Sequence, residues 1–259
     1  MLTEKRESQL HRFETNQAYG AQLDALLISQ FYAYRDSALD KTVIDENNRS
    51  IEFQLASLGF YDLKKNCPTY AGLIAFGANP RLYLPGNYVQ YLRFSGSGMD
   101  EKPIDQKEVS GDLLFVLREL DILISASITT SLINITPMQE KQVYDYPIVA
   151  IRELIYNAVM HRDYESNAPI RFYWFSDRIE IQNPGGLYGN VELGSLGTIN
   201  DYRNPTIADV MKTLGYVNKF GYGIQRAKAE LSKNENPPAE FSTPSGNKVF
   251  KVVIKKRAL

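Results

Sequence analysis

The chain has 259 residues, 44% of them hydrophobic, with 29 Lys and Arg against 30 Asp and Glu for a formal net charge of −1. That length supports a substantial core in one large or two small domains. The balanced charge removes the global basic field behind nonspecific nucleic-acid binding and leaves room only for a local basic patch. One cysteine, Cys67, rules out an internal disulfide and fits a reducing cytoplasm. With His11 and His161 as the sole histidines, the composition also speaks against a zinc site on these ligands. The start, MLTEKRESQL, is charged and lacks the apolar stretch of a signal peptide. The most apolar run, 113–128, is interrupted by Arg118, Glu119 and Asp121, which reads as an amphipathic helix and not a membrane span.

Residues 1–20 are polar and aperiodic and read as a flexible lead-in. Leu23, Leu26, Leu27 and Phe31 mark a helix. A second, carrying Phe53, Leu55 and Leu58, runs from a cap at Ser50 to Gly59; a third runs from Thr69 to Gly77. Three short helices followed by extended chain suggest a small helical, winged-helix-like unit, or simply a helical packing subdomain; no basic recognition helix stands out. Pro85-Gly86 turns into a strand over 88–94, and 96–107 reads as a polar loop. Ser110 is the expected cap of a helix with Leu113, Leu117, Leu120 and Ile124 on one side. The β-branched run 128–135 suits a strand.

The stretch 147–164, PIVAIRELIYNAVMHRDY, then reads as one helix. Pro147 suits its first turn. Ile148, Ile151, Ile155, Ala158 and Val159 form an apolar stripe, and Glu153 and Asn157, four apart, share a face away from it. A carboxylate and an amide so placed can serve a magnesium nucleotide, the amide oxygen as a hard neutral ligand and the carboxylate as a proton acceptor from water. Strands 169–175 and 178–183 form a hairpin about Ser176-Asp177, leading into Asn-Pro-Gly-Gly at 183–186. Residues 187–203 make a loop long enough to be a lid. Asn204-Pro205 starts a helix ending at Leu214-Gly215. Phe220-Gly221-Tyr222-Gly223-Ile224 precedes another helix, and 248–256 alternates as a final strand.

Three motifs in order, NAVMHRDY, IEIQNPGG and RNPTIADVMKTLGYVNKFGYGI, resemble the GHKL ATP-binding fold. They look most like the ATPase-type domain at the C-terminus of RecG-like, predicted transcriptional-regulator proteins. The resemblance runs from about Pro68 to the end and divides the chain into a lead-in and helical subdomain, 1–67, and a GHKL-like ATP-binding domain, 68–259. It implies an α+β fold, a mixed sheet with helices on one face, and the cofactors ATP and Mg²⁺. By position, Asn157 would hold the metal and Glu153 would activate water. Asn183 would read the base, Gly185 and Gly186 would form the turn beneath it, and Lys219, Gly221 and Gly223 would approach the phosphates. Two departures stand out. Asn183 replaces the aspartate usual in the superfamily, and its amide can donate as well as accept. Leu187 stands where a second glycine is common. His161 reads as a structural, hydrogen-bonded group.

In this family a Schlafen/AlbA-type domain usually comes first, and the sequence leaves no room for it. DNA contacts would therefore lie in a domain absent from this chain, as part of a cytoplasmic regulatory protein. No membrane partner is expected, and self-association is left open. No G-x-x-x-x-G-K-[ST] loop is present, so a helicase motor is not supported. The competing reading is a non-catalytic scaffold, a degenerate ATPase using residues 1–77 or the sheet edge for protein or DNA contacts. A histidine-kinase-like phosphotransfer role lacks a dimerising phospho-acceptor helix ahead of the domain.

Overall fold

Alternation in the strand sequences decides which side of the sheet faces inward. Ile170, Phe172 and Trp174 point one way, as do Ile179 and Ile181, and all five are buried. The structure, a computed structural model, describes residues 12–45, 49–136, 139–199, 201–218 and 221–258. Its centre is a six-stranded mixed sheet. The strands are β3 (Val89–Arg93), β4 (Asp105–Val109), β7 (Ile170–Trp174), β8 (Arg178–Pro184), β9 (Glu240–Ser242) and β10 (Val249–Lys255), in the order β4-β3-β7-β8-β10-β9. β3 and β7 are parallel, and the other neighbours are antiparallel. Tyr91, Phe172, Ile181 and Val252 lie side by side across four strands and form the floor of the core.

Helices cover that floor. They are α5 (Leu113–Ser127), α6 (Ile148–His161) and α8 (Gly223–Lys233), which contribute Leu117, Leu120 and Ile124; Ile151, Leu154 and Ile155; and Ala227 and Leu231. The opposite face carries a small cluster of Phe94, Tyr173 and Phe175. Beside it the buried carboxylate of Glu180 is held by Arg178 and Lys251, each at 2.8 Å. The expected α+β arrangement, a mixed sheet with its helices on one face, is therefore present.

The N-terminal segment contains α1 (Ile28–Ala38), α2 (Lys41–Asp45), α3 (Ile51–Ser57) and α4 (Tyr70–Phe76). A short ribbon of β1 (Tyr61–Asp62) and β2 (Cys67–Pro68) lies between α3 and α4. Phe31, Tyr34, Phe60 and Phe76 meet mostly edge-on here, and the same core continues into Ile207 and Met211 of α7 (Pro205–Thr213). A separate hairpin, β5 (Thr130–Thr136) with β6 (Gln139–Tyr144), precedes α6.

Several local expectations are corrected. Residues 12–20 are packed, not a loose lead-in: Phe13 stacks on Tyr70, and Glu14 and Ala18 are buried. Residues 1–11, His11 among them, lie outside the described residues. The cap of α5 is Asp112, which accepts from the Phe115 N–H at 3.1 Å, while Ser110 donates to the Asn87 carbonyl. The polar loop expected over 96–107 ends in β4, whose exposed charged residues mark an edge strand and hide its apolar signal. Helix α7 starts as expected at Asn204-Pro205, but Asn204 does not cap it. Its amide donates to the Met160 and Arg162 carbonyls, and the first turn of α7 is capped instead by Glu14, which accepts from the Thr206 and Ile207 N–H groups at 2.8 and 3.2 Å. A carboxylate there suits the positive end of the helix.

Arg162, 1% exposed, ties the end of α6 to the start of β7 and to the turn before β3. It donates to the carbonyls of Gly86, Ser166 and Ala168 at 2.6, 2.9 and 2.7 Å. Arg162→Met leaves these acceptors without their charged donor. The expected loss is on the order of 3 kcal/mol, since hydrogen bonds to charged groups are individually strong and buried orphans are costly. Urea denaturation measures it, and a loss below about 1 kcal/mol would contradict the tying role.

Candidate functional site

Helix α6 is buried on nearly every side, so its polar residues have few directions open. Asn157 is half-buried and faces a cleft of about 800 Å³, counting its open mouth. The floor is Ile181 and Asn183 of β8 with Phe250 and Val252 of β10 and Phe241 of β9. Leu154, Asn157, Ala158 and His161 form the α6 wall. Tyr188, Val191, Leu196, Gly197, Ile199 and Asp201 come from the loop after β8, and Gly221 and Ile224 close the far side. Thus Asn157, Asn183, Gly186 and Gly221, distant in sequence, meet in one cleft.

The two asparagines differ in their commitments. Asn157 donates from Nδ2 to the Glu153 carbonyl oxygen at 2.8 Å, which fixes the amide and leaves Oδ1 as its uncommitted end. Asn183 is 3% exposed, and its Oδ1 is buried with no hydrogen-bond partner. A buried acceptor left unpaired is costly and calls for a donor.

Glu153, expected on one face with Asn157 away from the apolar stripe, is buried and does not line the cleft that Asn157 faces. It is 6% exposed and borders a neighbouring polar groove with Asp121, Arg152, Tyr156, Tyr216 and Arg226. Its Oε1 accepts from Arg226 Nη1 at 3.1 Å. Burial raises its carboxyl above the usual range, against the lowering effect of Arg226. Helical spacing fixes only the angle around the axis; the covering α8 decided the burial.

The glycines have mainly steric duties. Gly185 has φ +88°, a Cβ there would sit 2.7 Å from Asp163 Cβ, and, unlike Gly186, it is not among the residues lining the cleft. A Cβ on Gly186 would fall 1.9 Å from the Asn247 carbonyl oxygen, where Asn247 also bonds both backbone groups of Leu187. Gly221, φ +73°, lines the cleft, whereas Gly223 presses against α6. Lys219 lies outside the described residues. Among those residues no group of three or more His, Cys, Asp or Glu is arranged to hold a metal, so a cation here would rest on Asn157 together with ligand oxygens and water.

The sequence reading missed Arg226 and the apolar cleft residues Val191, Leu196, Ile199, Phe241 and Phe250. The first gives no local signal, because its partner lies 73 positions away. The loop residues did carry one, as apolar side chains recurring within a Gly- and Asn-rich segment. His161 stacks on Tyr202 with ring centroids 5.5 Å apart. Burial, reinforced by Arg203 and Lys212, lowers its pKa to about 4, so the ring is neutral at pH 7.

Two outcomes follow from this geometry. A Cβ on Gly223 would lie 2.6 Å from Glu153 Oε2 and 3.1 Å from Asn157 Nδ2. Glu153 cannot yield without straining its bond to Arg226, so Gly223→Ala should cost about 1–3 kcal/mol in thermal denaturation, the usual penalty of overpacking; unchanged stability would show that the loop yields freely. The depressed pKa of His161 contributes stability present above its unfolded value near 6.5 and lost as pH falls through about 4. The stability difference between wild type and His161→Gln should therefore shift against wild type over that window, and parallel pH curves would refute the assignment.

Residues 167–254 match the family model described as "Putative ATP-dependent DNA helicase recG C-terminal". The match includes Asn183 and the glycine motifs and begins after Glu153 and Asn157. Among solved structures, the DIP2311 protein from Corynebacterium diphtheriae is similar with a TM-score of 0.70 and 19% identity. The similarity covers 98% of this chain and 50% of that one, so this chain spans about half the length of the matched structure, and the likeness concerns the fold. No curated protein matches the chain. Among the described residues no helix is long and apolar enough to cross a membrane. The part of the chain from 167 to 254 is thus similar to the RecG-type C-terminal family, and the match contains the second and third of the three sequence motifs.

Proposed function

We propose that the cleft binds Mg-ATP, and that the chain is the nucleotide-responsive regulatory part of a DNA-associated protein, with DNA contacted elsewhere. The observation that carries this reading is the buried, unpartnered Asn183 Oδ1 at the floor of the same cleft that Asn157 enters from α6. The 6-amino group of adenine supplies the donor that Asn183 lacks. Leu154, Ala158, Ile181 and Phe250 offer the apolar contact expected around a base. Asn157, with its Nδ2 already engaged, would offer Oδ1 to Mg²⁺. The ion, when bound, would neutralise charge on the phosphates. Gly221 lets the backbone approach them closely. The family's ATP-dependent description supports a nucleotide as ligand.

Glu153 lies one turn before Asn157 and outside the cleft lining, and to take a proton from an attacking water it would have to leave Arg226 and turn towards the cleft. Its engagement by Arg226 and its position on the neighbouring groove support binding over turnover as the site's main role. The same engagement favours the scaffold reading, in which the fold persists without turnover.

Calorimetric titration with ATP, with and without Mg²⁺, tests the proposal. Saturable, magnesium-dependent binding is expected. Asn157→Ala should weaken it by about tenfold or more, the loss of one ligand to a charged centre, while leaving thermal stability near wild type. Equal affinity in the mutant would remove Asn157 from the site, and no binding by folded wild-type protein would favour the scaffold.

A further inference from the structure

The floor of the cleft is read by a side chain with two chemical ends. Asn183 sits on β8 opposite Phe250 of β10, and its Oδ1 is buried without a partner. Among the described residues no hydrogen bond ties either end of its amide. Asn157 is different, since its Nδ2 is held by the Glu153 carbonyl. A carboxylate at position 183 would only accept. An amide accepts at Oδ1 and donates at Nδ2, and half a turn about its terminal torsion exchanges the ends. The 6-amino purine edge presents a donor beside the N1 acceptor. The 6-oxo edge presents an acceptor beside the N1–H donor. An unpinned amide complements either one.

The neighbours do not restore the distinction. Ile181, Phe250 and Val252 beside Asn183 are apolar, as are Leu154 and Ala158 on the α6 wall, and contact a purine face without sensing its 6-substituent. Asp201, on the loop after β8, is already engaged, its Oδ2 accepting from the Asn190 N–H at 2.8 Å. We propose that this site takes 6-amino and 6-oxo purine nucleotides with comparable affinity, Asn183 turning its amide to suit each. The proposal rests on the nucleotide reading above and deepens it by naming the ligand class.

The test is competition binding to the full chain with Mg²⁺ and three ligands: ATP, inosine triphosphate, and purine riboside triphosphate, which has no 6-substituent. ATP and inosine triphosphate should bind within about tenfold of each other. The third should be weaker than both by about tenfold, the cost of one buried hydrogen bond left unmade. Asn183→Asp, which accepts but cannot donate, loses the bond to N1 of ATP and to O6 of inosine triphosphate alike and should weaken both by about tenfold; wild-type affinity for both in this variant would overturn the role of the Asn183 donor. Should that variant fail to fold, the wild-type series alone decides. Wild-type binding of ATP with inosine triphosphate more than about tenfold weaker would overturn dual recognition while leaving the nucleotide site intact. Failure of all three ligands to bind would overturn the nucleotide reading itself.

Discussion

The structure depends on the enclosure of one helix. Between Ala150 and Met160, α6 buries Ile151, Leu154, Ile155 and Val159 as well as Glu153, Tyr156 and Ala158, because the sheet, α5 and α8 press on it from different sides. A polar residue on such a helix must find a protein partner or a cavity. Glu153 finds Arg226, and Asn157 finds the backbone of its own helix on one side and the cleft on the other. Adjacent turns of one helix therefore serve two separate cavities.

That enclosure needs close backbone approach, and the glycines supply it where side chains would collide. Gly223 lets the start of α8 rest on Glu153 and Asn157, and Gly186 lets the turn after β8 meet Asn247. Sequence motifs of this kind are read as ligand loops, but here much of the requirement for glycine is met by the protein's own packing. Gly186 and Gly221 also line the cleft.

Two buried charges hold the surroundings in place. Arg162 gathers three carbonyls from the turns before β3 and β7, and Glu14 caps a helix that begins at Pro205. Both stabilise through hydrogen bonds to backbone, which pay much of the desolvation cost of a buried charge. Glu14 also binds the amino-terminal segment to the helix next to the cleft loop, so the helical part and the sheet part share one hydrophobic core.

The sequence by itself determined the periodic elements: the α6 helix, the β7–β8 hairpin, the α7 start at Asn204-Pro205 and the final strand. Their side-chain spacing follows directly from backbone geometry, and glycine and proline mark their ends. It also brought out Asn157, Asn183 and the glycine pairs through their order along the chain. Tertiary structure alone decided the rest. That Glu153 is buried, that Glu14 rather than Asn204 caps α7, that β4 and β9 complete the sheet and that Val191, Leu196 and Phe250 enclose the cleft all depend on contacts between residues far apart in sequence. Local propensity cannot encode such pairings, because burial and hydrogen-bond partners are set only when distant segments pack together.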